Sequence, residues 1–187
     1  MYPVESINYW LSLGTILLEL VTIALAGVFL ARRRVRACAD IAHSVETWAL
    51  PLTFVTSLTA SALSLFYSEI LGFPPCPLCW WQRIFLYPQV ILFGFALFTR
   101  DRMVALYSMT LSSFGAAVAL YHHLLQVLPS GSLPCPAEGT VSCAQRFIFE
   151  FGYVTFPMMA FSLFAFLIVL MLFALTATRR VSPPLDR

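Results

Sequence analysis

The chain has 187 residues, 60% of them hydrophobic and only 11% charged, with a formal net charge of +2 and a mean hydropathy of +0.84. Soluble domains carry about 25% charged residues, so this composition excludes a soluble globular domain and points to a membrane protein. All 11 basic residues are arginine, and their placement is more informative than their sum.

A helix needs about 20 mostly apolar residues to cross a hydrocarbon core about 30 Å thick. Five segments qualify, at residues 10–31, 48–71, 80–98, 103–128 and 156–177. Period-two alternation is absent, and open strands would leave backbone groups unpaired in lipid, so all five are expected to be helices.

The first span is preceded by MYPVESINYW, with a glutamate and no arginine, and followed by ARRRVR. That polarity is the reverse of a secretory signal, so a retained helix with its N-terminus outside is expected. Glu19 lies near its middle. An ionisable residue at that depth is a functional candidate; the plainer reading has it packed in neutral form against a neighbouring helix.

Arg32, Arg33, Arg34 and Arg36 lie between spans one and two, Arg100 and Arg102 between spans three and four, and Arg179, Arg180 and Arg187 after span five. The positive-inside rule puts these nine on the cytoplasmic side, leaving Arg83 and Arg146 outside. His43 and Glu46 fall on a short polar cytoplasmic segment with no evident chemistry.

Cys76 and Cys79 then stand on the outer side at the start of span three, and Cys135 and Cys143 in the outer loop before span five. Cys38 alone is cytoplasmic and reads as a plain thiol. Disulfides persist on the outer side, so the four outer cysteines suggest two bridges. Cys135 and Cys143 bracket a short Pro/Gly-containing stretch that closes easily. After it, Phe147, Ile148, Phe149 and Phe151 between Arg146 and Glu150 form a composition expected to lie on the membrane surface.

By itself, Cys76-Pro-Leu-Cys79 reads as a structural disulfide, half of a zinc site, or a redox dithiol. Its context favours the last. Pro74, Pro75 and Pro77 announce a helix N-terminus, whose dipole stabilises a thiolate. Cys79 and Arg83 share a helix face, one turn apart. Arg83 either reaches back to the headgroups or holds a polar ligand oxygen beside Cys79. A thiolate, an arginine and the aromatic walls Trp80, Trp81 and Phe85 at headgroup depth suit a lipid-soluble quinone. Two outward dithiols also suggest a relay, because electrons pass between pairs by thiol–disulfide exchange.

The run Cys76-Pro-Leu-Cys79-Trp-Trp-Gln-Arg83 followed by IFLYP resembles the bacterial DsbB/BdbC disulfide-bond formation family. So do Cys135…Cys143-Ala-Gln-Arg-Phe-Ile-Phe-Glu-Phe-Gly-Tyr-Val-Thr-Phe-Pro-Met and Tyr121-His122. The resemblance spans about residues 50–178. It implies an all-α integral membrane protein built on a four-helix transmembrane bundle. The enzyme would sit in the bacterial inner membrane, reoxidise a DsbA-like thioredoxin-fold disulfide donor and pass electrons to ubiquinone or menaquinone. By the same resemblance, Cys79 would contact or add to the quinone and Arg83 would position it, beside Trp80. Cys135 would be attacked by the partner, and Cys143 would exchange with Cys76.

The departure is a fifth, N-terminal helix. The expected organisation is therefore residues 1–47, the extra helix and Arg-rich connector; 48–178, the bundle with an outer redox loop at 129–155; and 179–187, a cytoplasmic tail. The extra helix is open to a role in partner choice or in holding an accessory subunit. Three alternatives remain. A vitamin-K-epoxide-reductase-like oxidase does the same chemistry, with the loop cysteines preceding the Cys-x-x-Cys. A metal or haem protein would use the outer cysteines or His122 and His123. A scaffold would carry only structural disulfides.

Overall fold

The computed structural model describes residues 4–99, 101, 103–129, 133–135 and 141–181, with 177–181 as backbone only. Among the arginines used for orientation, Arg100, Arg102 and Arg187 lie outside the described residues, as do the side chains of Arg179 and Arg180. Among the described residues there are five α-helices: α1 (Val4–Ala31), α2 (Arg36–Leu65), α3 (Pro77–Thr99), α4 (Val104–Val127) and α5 (Phe156–Val181). All five are long and apolar enough to cross a membrane.

The observed helices run past the apolar stretches because a helix need not stop where lipid does. The wide segment Phe66–Ile70 extends α2 with π-type turns, so Arg36–Ile70 is one continuous rod. The polar stretch around His43 and Glu46 is therefore its first turns and not a separate connector. Between α1 and α2 the chain turns tightly, with Arg34 and Val35 N–H both donating to the Ala31 carbonyl (2.8 and 3.0 Å). Arg32 reaches from this turn to the Thr176 hydroxyl on α5 (3.0 Å). Thr176 Oγ1 also lies 3.4 Å from Glu46 Oε1.

Helices α2, α3, α4 and α5 close a four-membered ring of contacts, and α1 lies outside it against α5 and α2. The core sits on α5, where Phe164, Leu167, Leu170, Met171 and Phe173 are fully buried. Close approach of α4 to α5 is made by Gly115: a Cβ there would sit 2.5 Å from the Phe164 ring. In lipid, where apolar surface gains little by associating, small residues and interhelical hydrogen bonds hold helices together. Thr53, Ser57 and Ser61 supply the small buried face of α2. Between α3 and α4, Gln89 is fully buried and its Oε1 accepts from Ser108 (2.7 Å) and Ser112 (3.2 Å).

Candidate functional site

Helix α3 starts at its cysteine motif. The Cys76 carbonyl accepts the first helical bond, from Trp80 N–H (3.2 Å), and its sulfur accepts the Cys79 N–H (3.4 Å). Cys76 is thus a helix N-cap with sulfur in the place usually taken by an oxygen, and Pro77 takes the first helical position, where a missing N–H costs nothing. Both sulfurs are held at the positive end of the helix dipole.

The two sulfurs lie 3.1 Å apart as a reduced pair, with Cys76 buried and Cys79 partly open. The hydrogen bond from Cys79 is the main cause holding the Cys76 thiol well below its ordinary 9.0. Burial opposes that shift, and a hydrogen bond and positive charge from His122 add to it. His122 Nε2 is 3.6 Å from Cys76 Sγ and 3.1 Å from the Cys143 carbonyl oxygen. One nitrogen of the buried His122 ring (the residue is 1% exposed) therefore touches the Cys76 sulfur and the Cys143 backbone together. Gln82 Nε2 meets its Nδ1 at 2.9 Å, and Gln126 N–H groups bond the Cys143 and Gln145 carbonyls (3.4 and 3.1 Å).

Cys135 and Cys143 are joined in a disulfide. The two sulfurs have unequal surroundings: Cys135 is exposed and Cys143 is fully buried, packed in one cluster with Cys76, Leu78 and Leu125. Tyr121 secures the upstream limb of the loop by donating to the Pro134 carbonyl. The aromatic stretch that follows does not simply lie on the surface. Ile148 is buried and Phe147 meets Phe73 edge to face, while Phe149 and Phe151 remain exposed.

Arg83 does not reach for the headgroups. It is 8% exposed, and its Nε and Nη2 donate to the Ser64 hydroxyl (3.0 Å) and carbonyl (2.9 Å) on α2. Its guanidinium carbon lies 5.2 Å from the Trp80 ring centroid. Trp80 and Trp81 are half exposed on the outer face of α3.

Cys76, Cys79 and His122 have ligand atoms within 4.8 Å of one another. A tetrahedral zinc with bonds of about 2.3 Å holds two sulfurs roughly 3.8 Å apart, whereas these stand at 3.1 Å, closer to bonding distance for sulfur. His123 turns away to the Thr155 hydroxyl (2.9 Å), so the adjacent histidines do not share a site.

The cysteines expected at the site are thus brought together, with Cys135 at its outer edge and Arg83 and Trp80 below Cys79. Sequence reasoning gave no role to Gln82, Gln126 or Ser64, and named His122 only within the family resemblance and as an alternative metal ligand. The i, i+4 pair His122/Gln126 on one face of an apolar helix was the available signal.

A dithiol at a helix N-terminus, a neighbouring disulfide and five apolar helices define a multi-pass membrane thiol–disulfide oxidoreductase. The family model "Disulfide bond formation protein DsbB" matches residues 46–176, and the chain belongs to that family. Among its relatives are "Probable disulfide formation protein C" of Halalkalibacterium halodurans, 42% identical over 117 residues, covering 63% of this chain and 85% of the relative. "Disulfide bond formation protein C" of Bacillus subtilis is 38% identical over 119 residues, covering 64% and 86%. "SPbeta prophage-derived disulfide bond formation protein B" of the same organism is 43% identical over 114 residues, covering 61% and 76%. No solved structure matches. The matched region starts in the first turns of α2, so α1 lies before it.

Proposed function

We propose that the chain is a quinone-dependent protein-disulfide oxidoreductase that reoxidises a thioredoxin-fold disulfide donor outside the cytoplasm. The observation that carries this reading is the meeting of a reduced helix pair and an oxidised loop pair at one histidine. Orientation follows the arginines: redox cysteines and N-terminus outside, C-terminus in the cytoplasm, in a bacterial inner membrane.

Cys135, exposed, is the sulfur open to attack by a reduced partner. The attack frees Cys143 as a thiolate. When the helix pair is in its oxidised form, Cys143, packed against Cys76, attacks it, so that a Cys143–Cys76 bond forms, the Cys76–Cys79 bond breaks and Cys79 leaves as a thiolate. The partner's second thiol then displaces Cys135, which re-forms its bond to Cys143 and frees Cys76 as a thiolate. The electrons then rest on the Cys76/Cys79 pair. Its sulfurs are close enough for one remaining proton to pass between them, so the charge reaches Cys79, the sulfur more open to the bilayer. The surroundings fit a quinone ring. Ser64 takes two of the five N–H donors of Arg83, leaving others for a carbonyl oxygen, and Trp80 and Trp81 flank the approach from the lipid. A bound quinone supplies a two-electron, two-proton acceptor. The chain fixes the sulfur and the cation that face it.

Purified protein given a reduced thioredoxin-fold partner should reduce quinone catalytically, and Cys79→Ser should abolish that turnover. Undiminished turnover in Cys79→Ser would sink the mechanism.

A further inference from the structure

Helix α1 buries its polar side. Asn8, Ser12 and Thr15 are its buried residues, while Leu13, Leu17, Leu20 and Ile23 face outward. Glu19 continues the same face at the spacing of one more turn. Both its oxygens are engaged at 2.7 Å, Oε2 by the Tyr153 hydroxyl and Oε1 by the Ser162 hydroxyl of α5.

Tyr153 sits in a tight reversal, closed by Glu150 N–H to Val154 O (3.0 Å) and Val154 N–H to Glu150 O (2.9 Å). Phe151 there has φ 51°, in the left-handed region, followed by Gly152 at 79°. A bulky residue keeps such a backbone only where its surroundings over-determine it. Here α1 supplies part of them, since the Phe151 ring packs on Tyr9 (5.6 Å). The carboxyl beside Tyr153 is the main cause pushing its hydroxyl up to about 12, so it remains a donor throughout the working pH range.

The next residues pass this constraint on. Thr155 caps α5 through its hydroxyl, which accepts the Met158 N–H (3.3 Å), and the same hydroxyl meets His123 Nδ1 on α4. The segment 143–155 thus has two anchors: upstream Cys143 and Gln145 on His122 and Gln126, downstream the 150–154 turn on Glu19.

We propose that Glu19 is a positioning residue of the redox site: through Tyr153 it pins the downstream anchor of the Cys143 segment and holds Cys143 in register with Cys76. The inference rests on the Cys143–Cys76 exchange proposed above. It gives α1, which lies before the family match, a part in electron transfer.

The test isolates that exchange from quinone and partner. In a full-length Cys38→Ser/Cys79→Ser parent, the Cys76 thiolate attacks Cys143 of the loop disulfide. A Cys76–Cys143 bond forms, the Cys135–Cys143 bond breaks, and Cys135 leaves as a thiolate that a maleimide traps. No external oxidant is needed. The rate constant of trapping is the readout, since a misfolded fraction lowers the amplitude and not the rate constant.

Glu19→Ala should slow the exchange about tenfold, in keeping with the cost of slight misplacement of reacting groups. Tyr153→Phe, which keeps the ring and removes one hydroxyl, should slow it about threefold. Glu19→Gln should stay within about twofold, because its carboxamide still accepts from Tyr153 and still meets Ser162. If Glu19→Ala does not accumulate, Tyr153→Phe decides. Parental rate constants in Tyr153→Phe and in any Glu19→Ala obtained would overturn the brace. A parent that never forms the Cys76–Cys143 bond would overturn the exchange beneath it, which is a separately readable result.

Discussion

Cys76 and Cys79 are held by a helix, Cys135 and Cys143 by a loop, and their surroundings differ more than their spacings do. The helix pair has its backbone fixed by the first turn of α3, one sulfur buried and the other partly open. The loop pair sets one sulfur in the open and the other fully inside. Each pair therefore has an accessible and a hidden member, and the hidden ones meet. On the reading proposed above, the pair fixed by a helix turn is the one that faces the acceptor in the membrane, and the pair with a fully exposed sulfur is the one that meets a partner protein.

That contrast can be broken most severely at the hidden loop sulfur. Cys143→Ser should lower steady-state turnover with a reduced partner at least about a thousandfold, as expected when a covalent relay member is lost. Single-turnover quinone reduction by the pre-reduced helix pair should survive. Stopped-flow absorbance measures both, and loss of the single turnover as well would show that the pairs do not work in sequence.

The joint between the pairs comes next. His122→Ala should slow the Cys76–Cys143 exchange about a hundredfold, the lower range for a lost proton-handling group, as followed by thiol trapping. Leaving Gln82 without its partner, and the Cys143 carbonyl with only the longer bond from Gln126, should also cost about 1 kcal/mol of stability, read from thermal unfolding in detergent.

Arg83→Lys sharpens the helix side alone. A lysine cannot span the Ser64 hydroxyl and carbonyl and still present a fork to a ligand oxygen. The KM for quinone should rise about tenfold with the KM for the partner unchanged, measured by varying each substrate.

The smallest effect is one of pH. Because the Cys76 thiol lies well below its ordinary value, thiolate persists as pH falls beneath the ordinary range and is lost only on passing the lowered value. Alkylation of the reduced helix pair should change less than about twofold between pH 8 and 6. The same cysteines in unfolded protein should slow about tenfold per unit.

The spans were legible because the cost of placing polar residues in lipid makes hydropathy a strong signal. Their starts were less so: α1 begins at Val4 and α2 at Arg36, where helix continues into water without any change in composition to mark it. At the site, Cys76, Cys79 and Arg83 were legible because one helix turn relates them whatever the rest of the fold does. His122 was not, because two adjacent histidines point to different sides and only the packing of α4 tells which one meets sulfur. Ser64 was hidden for another reason. A serine in an apolar helix usually bonds its own backbone, and its service to Arg83 depends on how α2 meets α3. The reach of Glu19 to Tyr153 likewise needed the turn at Phe151, a conformation that a phenylalanine does not advertise.

The wide turn at Phe66–Ile70 bears on what lengths of chain this helix tolerates. A π-type turn holds one more residue than a regular one. Removing a single residue there would leave a continuous helix, a rare latitude within a span. It would also change the directions of the residues within the turn while those before it keep theirs. Ser64, which receives Arg83, lies before the turn, and Tyr67, which donates to Asn8 (2.7 Å), lies within it. A shortened α2 would keep one of these partnerships and forfeit the other. The extra residue acts as a spacer that lets a single helix face α3 and α1 at once.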